Sequence, residues 1–290
     1  MKRQLALAAA FLVTLGVAVF AGVHIIGVIE RPTTNTMYSM KVGDLTRSWQ
    51  VIAPVAGLPE SAPIIVVLSG LAATNSQEIA RDRLVPYVAA DKTELVYPVA
   101  IRESWNAIGC CGAAAQLKVN DLAFLKALVR AIDPGHRRPL YFVGYSNGAR
   151  MVYRLECTDP GLFDGVAAVK GDPMPGCVVT KPQNILVMSA IDDPWVPYTT
   201  ADKGRETPAA TVQIALLQMA LSCAEQPVVA TYHSIMTLTT WSACGDGKRL
   251  AWAVWQSGGH QFPPPTTNSP GANQLIWSFF TKTPIAPVPG

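Results

Sequence analysis

The clearest chemical signal is the segment Gly144-Tyr145-Ser146-Asn147-Gly148, which matches the pattern Gly-x-Ser-x-Gly. It lies between a short apolar strand predicted over residues 140–143 and a helix predicted over 147–156. The two glycines let the strand and the helix approach closely, so the turn exposes a serine in a strained backbone conformation. The N-terminus of the helix then supplies N–H groups to an oxyanion. We therefore predict that Ser146 is a nucleophile.

A serine hydroxyl is a poor nucleophile at neutral pH, so the hypothesis requires a histidine base downstream. Only His233 and His260 follow the serine, whereas His24 lies in an N-terminal apolar run and His136 precedes the serine. His260 ends a glycine-rich loop just beyond a strand predicted over 250–254. His233 lies in a polar-apolar alternation typical of an exposed strand. His260 is therefore the predicted general base.

The acid that orients this histidine should follow the strand predicted over 185–188. Asp192 and Asp193 both lie beyond that strand. Pro194 fixes the chain direction as it leaves the sheet, and this favours Asp193 as the inward-pointing acid. Asp193 would accept the imidazole N–H and stabilise the imidazolium. Asp192 is the alternative and is expected to matter little, and an acidic surface turn is the non-catalytic interpretation.

Two further groups complete the predicted site. The backbone N–H groups of Leu71, after the first central strand, and of Asn147, after the serine, are the expected oxyanion donors. Each such donor is worth roughly 3 kcal/mol of barrier. Trp105 and Trp195 are expected to line the substrate pocket, with burial in the core as the alternative for either.

The elements that position these residues alternate along the chain. Short apolar runs rich in β-branched residues predict strands, and apolar residues at helical spacing predict helices between them. Such alternation indicates an α/β fold with a mostly parallel central sheet covered by helices on both faces. Together with the serine motif between a strand and a helix, it predicts the α/β-hydrolase fold. The predicted strands are 62–68, 95–99, 140–143, 165–169, 185–188 and 250–254, and the predicted helices are 121–132, 147–156, 207–221 and 272–280.

The N-terminus predicts export. Lys2 and Arg3 precede an apolar run over residues 5–29, which is long enough to span a bilayer. Residues 1–30 are therefore expected to be a cleaved signal peptide or a membrane anchor through residues 4–29, and the protein is expected to be secreted or in the cell envelope. We predict a tether over 31–36, a single catalytic domain over 37–282 and a flexible Pro-rich tail over 283–290.

The net charge and the cysteines of the chain indicate which partners and ligands to expect. With 23 basic and 20 acidic residues the net charge is +3, so no nucleic-acid partner is expected. An even number of cysteines in an exported chain favours disulfides over metal ligands. Cys223 with Cys244 is the preferred pair, and the adjacent Cys110 and Cys111 lack the spacing of a zinc site. We expect no metal and no cofactor. The cysteines are Cys110, Cys111, Cys157, Cys177, Cys223 and Cys244.

With these residues in place, the chain resembles the secreted esterases that include polyhydroxybutyrate depolymerases and feruloyl esterases, related to carbohydrate esterase family 1. The resemblance covers about residues 60–280 and keeps the same order of motifs. The matching stretches are Ser104-Trp105-Asn106-Ala107, Cys110-Cys111-Gly112, residues 119–125, residues 144–151, Tyr153-Arg154-Leu155 with Cys157, Asp193-Pro194, Val196-Pro197-Tyr198 and Gly258-Gly259-His260.

The resemblance implies a serine carboxylic-ester hydrolase that forms an acyl-enzyme, with a polyester or an acyl or aromatic ester of a carbohydrate as substrate. The chain has Ser69-Gly70 where the family has His-Gly, and Gln261-Phe262-Pro263 where it has Trp-Pro-Gly. Ala149 replaces a further glycine after the serine. These departures concern the pocket walls and the serine turn. A serine peptidase or thioesterase on the same fold, and a non-catalytic cell-envelope binding protein, are the alternatives.

Overall fold

The computed structural model describes residues 31–90, 92–174, 176–199, 208–224 and 226–285. Within these residues the chain forms ten strands and seven helices. The strands are β1 (Thr33–Val42), β2 (Leu45–Pro54), β3 (Ile64–Leu68), β4 (Glu94–Pro98), β5 (Leu140–Tyr145), β6 (Gly165–Val169), β7 (Asn184–Ala190), β8 (Val228–Tyr232), β9 (Met236–Trp241) and β10 (Leu250–Trp255). The helices are α1 (Asn75–Asp82), α2 (Val85–Ala89), α3 (Ala113–Gln116), α4 (Asp121–Ile132), α5 (Asn147–Thr158), α6 (Ala210–Ala220) and α7 (Ala272–Thr281).

The described strands form one sheet in the order β1-β2-β4-β3-β5-β6-β7-β10-β9-β8. The six strands from β4 to β10 run parallel to one another. Antiparallel strands extend the sheet at both ends, β2 and β1 beside β4, and β9 and β8 beside β10. Since parallel strands end at one edge, the loops that follow β3, β5, β6, β7 and β10 lie close together.

The core lies on both faces of the sheet. Along β3, Ile64, Val66 and Leu68 pack into one cluster with side chains of α4, α5 and α6. Ile65 and Val67 point to the opposite face and pack with α2 and α7. Because both faces are covered, the central strands are apolar without interruption, which is why they can be recognised in the sequence.

All six predicted strands are present, with bounds that differ by a few residues. The four predicted helices are also present, and the one predicted over 207–221 is observed as Ala210–Ala220. The antiparallel edge strands β1, β2 and β9 were not predicted, because their side chains are largely exposed or half-buried and show no continuous apolar run. His233 is exposed, as predicted, but lies in the turn after β8 with φ 46° and not in a strand.

The predicted boundaries at the two ends need correction. Thr33 to Thr36 do not form a tether, since they pair with β2 as the first residues of β1. At the other end, Ile285 is half-buried and packs against the apolar cluster that includes α7. Residues 1–30 and 286–290 lie outside the described residues, and so does the predicted signal or anchor. Among the residues that are described, no helix combines the length and apolar character needed to cross a bilayer.

Glu156, on α5, is a buried acid with a predicted effect on stability. Its side chain is fully buried, and neither carboxylate oxygen has a hydrogen-bond partner among the described residues. Burial raises the pKa of Glu156 from 4.5 to about 8. A carboxyl whose pKa is higher in the folded state stabilises the fold fully below pH 4.5, and this contribution is lost as the pH rises through about 8.

We therefore expect Glu156→Gln to become more stable relative to the wild type as the pH rises. The difference in free energy of unfolding should grow by a few kcal/mol between about pH 5 and pH 9. Urea denaturation of both proteins at the two pH values measures this difference. Glu60→Gln is the control, because the Glu60 side chain is 83% exposed and should show no such growth. A constant difference across the range would contradict the prediction.

Candidate active site

Ser146 occupies a sharp turn between β5 and α5, with φ 53° and ψ −114°. The flanking glycines are required by close contacts between backbones. A Cβ on Gly144 would lie 2.3 Å from the carbonyl oxygen of Gly148, and one on Gly148 would lie 2.2 Å from the carbonyl oxygen of Leu68. Both distances are shorter than any van der Waals contact, so no larger residue fits without moving the strand or the helix. The turn therefore holds the serine at the carboxyl edge of the sheet.

The structure brings Ser146, His260 and Asp193 together, although they are far apart in the sequence. The Oγ of Ser146 lies 2.8 Å from Nε2 of His260. The other ring nitrogen, Nδ1, lies 3.0 Å and 2.9 Å from the two carboxylate oxygens of Asp193. These distances allow the serine proton to pass to the imidazole while the carboxylate fixes the tautomer. Of the three side chains that were predicted from their order along the chain, His260 therefore lies within hydrogen-bonding distance of both others.

Strand pairing explains this proximity. Tyr145, just before the serine, pairs with Val169 of β6, and Val169 pairs with Met188 of β7. Ala190 at the end of β7 pairs with Trp255 at the end of β10. The serine turn, the aspartate loop and the histidine loop therefore leave the sheet at neighbouring positions on the same edge.

Asp193 is held in its ionised form. Burial alone would raise the pKa of Asp193, but a hydrogen bond from His260 and bonds from the backbone N–H groups of Trp195 and Val196 outweigh burial and lower it. The two backbone bonds are 2.8 Å and 3.0 Å long. An ionised carboxylate in this position can stabilise an imidazolium ion in the transition state.

Asp192 has a role that the sequence did not indicate. Its carboxylate accepts hydrogen bonds from the backbone N–H groups of Gly258 at 3.1 Å and Gly259 at 2.8 Å. These two glycines precede His260 and have φ values of 111° and 51°. Asp192 therefore holds the loop that carries the histidine, and the expectation that it matters little is not supported by these contacts.

We expect Asp192→Asn to lower turnover by about tenfold, the scale of one lost hydrogen bond to a charged group. The amide can accept one of the two N–H groups but carries no charge. Steady-state kinetics of the variant and the wild type measure the effect. Glu60→Gln serves as a remote control for removal of an exposed carboxylate. Turnover equal to that of the wild type would show that the loop keeps its position without Asp192.

The predicted oxyanion donors lie on the wall of the same cavity as Ser146. Asn147 is the first residue of α5, and Leu71 follows the carboxyl end of β3. Neither backbone N–H has a hydrogen-bond partner within the described part of the chain. The side chain of Asn147 is otherwise engaged, since its Oδ1 accepts the backbone N–H of Trp105 at 2.7 Å. The assignment of these two donors stays a prediction.

The cavity in front of Ser146 has a volume of about 430 Å³. Part of its lining is apolar, and within that part Trp195 is 66% exposed. The lining also carries charge, with a buried ion pair of 2.7 Å between Arg150 and Asp172. The apolar lining residues and cystine are Leu71, Cys110, Cys111, Trp195 and Val196.

Trp105 does not line this cavity, so the prediction that it does is wrong. Its side chain is fully buried, and its indole N–H donates to the carbonyl oxygen of Ser69 at 3.1 Å. Trp105 therefore supports the loop after β3 from behind. The position fits the alternative that this tryptophan belongs to the core. Trp195 does line the cavity, as predicted.

Three disulfides join the six cysteines. The predicted pair Cys223–Cys244 is confirmed, and Cys157 pairs with Cys177. Cys110 and Cys111 bond to each other across adjacent positions, which spacing did not predict. The Nδ2 atom of Asn147 lies 3.6 Å from Sγ of Cys111, so this disulfide borders both the cavity and the start of α5.

Known proteins resemble this chain in sequence and in fold. No family model matches the chain. The chain is 26% identical over 262 residues to NocK, a candidate esterase of Nocardia uniformis subsp. tsuyamanensis, covering 79% of this chain and 74% of NocK. The acetyl xylan esterase of Aspergillus awamori is 13% identical and overlays with a TM-score of 0.56 over 86% of this chain and all of that chain.

A candidate dienelactone hydrolase of Klebsiella pneumoniae subsp. pneumoniae, 13% identical, overlays with a TM-score of 0.51 over 87% of this chain and all of that chain. The chain has the α/β-hydrolase fold. The predicted fold class is thus confirmed, and the Ser146 turn lies between a central strand and a helix, where enzymes of this fold place their nucleophile.

The candidate site also contains charged residues that sequence reasoning missed. Lys170 follows β6, and its side chain is buried beside the cavity. Burial lowers the pKa of Lys170 to about 8, and the charges of Asp193 and Asp192 offset part of this effect. Lys170 and Asp172 belong to no motif, and only their position just after a strand could have indicated them. Within the described ranges, no group of three or more His, Cys, Asp or Glu side chains is arranged to hold a metal ion.

Proposed function

We propose that the protein is a serine carboxylic-ester hydrolase that acts through Ser146, His260 and Asp193. The observation that carries the proposal is the continuous contact from the Ser146 hydroxyl through the imidazole to the Asp193 carboxylate. The likeness to NocK, a candidate esterase, supports the same chemistry. The fold alone does not decide the scissile bond, because it hosts many hydrolases.

In this mechanism Ser146 attacks the ester carbonyl while His260 takes the hydroxyl proton. The oxyanion that forms accepts hydrogen bonds from the backbone N–H groups of Leu71 and Asn147, with the positive end of α5 behind the serine. His260 then returns the proton to the leaving alcohol, and an acyl-enzyme remains. Water, deprotonated by His260, attacks the acyl group, and His260 returns this proton to the Ser146 oxygen as the acid is released. Asp193 stabilises the imidazolium in both steps.

The substrate is an ester with an apolar or aromatic acyl group, as in a hydroxyalkanoate polyester or a feruloylated carbohydrate. The resemblance to polyhydroxybutyrate depolymerases and feruloyl esterases supports this class, and so do the apolar wall and the exposed Trp195 beside the serine. The departures at Ser69 and at residues 261–263 lie outside the set of residues that line the cavity. They leave all three residues of the proposed triad in place.

A substrate panel tests both the proposed reaction, ester hydrolysis, and the proposed class of ester. Nitrophenyl acetate and butyrate, methyl ferulate and a polyhydroxybutyrate suspension should be compared with a peptide nitroanilide and an acyl thioester. We expect turnover of the nitrophenyl esters and of at least one of the two larger esters. Cleavage of the peptide or the thioester without any ester turnover would replace the proposal with the peptidase or thioesterase alternative.

We also propose that the protein is exported. The basic residues and apolar run at the N-terminus support export, and three disulfides within the described residues suit an oxidising compartment. Cell fractionation of the full chain with maleimide labelling tests this: the protein should be extracytoplasmic, and its cysteines should react only after reduction. A cytoplasmic protein with reactive thiols would contradict it. Mass spectrometry of the recovered N-terminus separates a cleaved signal from a retained anchor.

A further inference from the structure

A buried acid, Glu78, lies behind the loop that carries the proposed oxyanion donor. Glu78 is on α1, and its side chain is fully buried. Its Oε2 atom accepts the backbone N–H of Gly70 at 3.3 Å. This bond holds the Ser69–Gly70 peptide, which directly precedes the Gly70–Leu71 peptide that carries the Leu71 N–H. The indole N–H of Trp105 donates to the carbonyl oxygen of Ser69 at 3.1 Å, so it holds the same peptide from its other end.

Arg81, one helical turn further along α1, extends the contact to the histidine loop. Its Nη1 donates to the same Oε2 of Glu78 at 2.6 Å. The centre of its guanidinium lies 4.7 Å from the centroid of the Tyr145 ring. The hydroxyl of Tyr145 donates to the backbone carbonyl of His260. One chain of contacts therefore runs from the loop after β3, through α1 and Tyr145, to the loop that carries the histidine.

Tyr145 also touches the loop after β3 directly. A Cβ on Gly70 would lie 2.8 Å from Cδ1 of the Tyr145 ring, so only glycine leaves room for the ring at this distance. Tyr145 immediately precedes Ser146 in the sequence. The residue before the nucleophile thus packs between the two loops that must be in register with the nucleophile.

The placement of Glu78 is unfavourable for stability alone. Its second oxygen, Oε1, has no hydrogen-bond partner among the described residues. Burial raises the pKa of Glu78, and the charge of Arg81 and the bond from Gly70 offset only part of this effect. An acid that is buried with one oxygen unpaired costs stability, and an apolar residue of similar size would pack at lower cost.

We propose that Glu78 and Arg81 are positioning residues that hold the oxyanion loop and the histidine loop in register with Ser146. The inference rests on the proposed function. Neither residue reaches the reacting atoms, and both act through Gly70, Tyr145 and the backbone of His260. Such residues affect the transition state, because the oxyanion exists only after attack on the carbonyl, and they leave binding of the neutral ester nearly unchanged.

The test is a kinetic comparison of Glu78→Gln, Arg81→Met and the double variant with the wild type on a nitrophenyl ester. We expect kcat to fall by about 10- to 100-fold in Glu78→Gln and about 10-fold in Arg81→Met, with KM within about twofold. The rate of labelling of Ser146 by a fluorophosphonate should fall in proportion. The double variant should lose little more than Glu78→Gln, because the two residues act as one unit.

Glu94→Gln is the matched control. Glu94 forms a mostly buried ion pair of 3.0 Å with Arg138 at the start of β4, far from the carboxyl edge of the sheet. Its loss should lower the melting temperature while kcat stays unchanged. Arg81 is 32% exposed, so Arg81→Met tests the proposal even where Glu78→Gln does not fold.

Two results would overturn the inference. One is an unchanged kcat and labelling rate in folded Glu78→Gln or Arg81→Met. The other is an equal loss of kcat in Glu94→Gln, which would mean that general destabilisation causes the effect. Failure of the proposed function is distinguishable, because the wild type itself would then fail to hydrolyse esters or to label at Ser146.

Discussion

Ser146→Ala is expected to abolish ester turnover, with a loss on the order of a million-fold in kcat. The variant removes the only atom that can form the acyl-enzyme, while the imidazole and the oxyanion donors stay in place. Because Ser146 contributes one small side chain at the edge of the cavity, the melting temperature should stay within a few degrees of the wild type. Nitrophenyl ester hydrolysis and thermal unfolding of the same preparation measure both quantities.

Ser39→Ala provides the matched control for this substitution. Ser39 is exposed on β1, an edge strand outside the parallel part of the sheet, and its loss should change neither quantity. Ester turnover retained in Ser146→Ala at more than about a thousandth of the wild-type rate would assign the nucleophile to another group, since loss of a catalytic serine costs on the order of 10⁶-fold in kcat.

Asp193→Asn is expected to lower kcat by about 10⁴-fold while the shape of the site is kept. An asparagine side chain can still fill the position and accept a hydrogen bond. It carries no charge, however, so it cannot stabilise the imidazolium, and it can present its own NH₂ group to Nδ1 of His260. The wrong tautomer then leaves Nε2 protonated and unable to take the serine proton.

The comparison with Asp192→Asn makes this prediction sharper. The two aspartates are adjacent, yet Asp193 contacts the imidazole and Asp192 contacts two backbone N–H groups of the histidine loop. The loss of kcat should therefore be about a thousand times larger for Asp193→Asn than for Asp192→Asn, the ratio of about 10⁴ to about 10. Equal losses, or the reverse order, would show that the acid of the mechanism is not Asp193.

Much of this site could be predicted because its determinants are local. The glycines around Ser146 predict the turn, since a Cβ at Gly144 or Gly148 would lie 2.3 Å or 2.2 Å from a backbone carbonyl oxygen. The central strands are recognisable because both faces of the sheet are covered. In this fold the acid and then the histidine follow the serine along the chain, which leaves few candidates for either residue. The structure places His260 within hydrogen-bonding distance of both Asp193 and Ser146.

The rest depends on contacts between distant segments that no local pattern reports. Trp105 was predicted to line the pocket, but packing decides whether an aromatic side chain faces a cavity or the core. Its indole lies behind the loop after β3. Asp192 and Glu78 each bind backbone N–H groups of another loop. The edge strand β1 is mostly exposed, so it lacks the apolar run by which a strand is recognised.

The most direct measurement of the central claim is covalent labelling of the wild type by a fluorophosphonate, followed by peptide mass spectrometry. The reagent reacts only with a serine that is activated by a base and faces an oxyanion site. We predict one adduct per chain, on Ser146, formed in step with loss of ester turnover and absent from Ser146→Ala. A folded, disulfide-bonded protein that takes up no label, or that is labelled at another residue as activity is lost, would contradict the account.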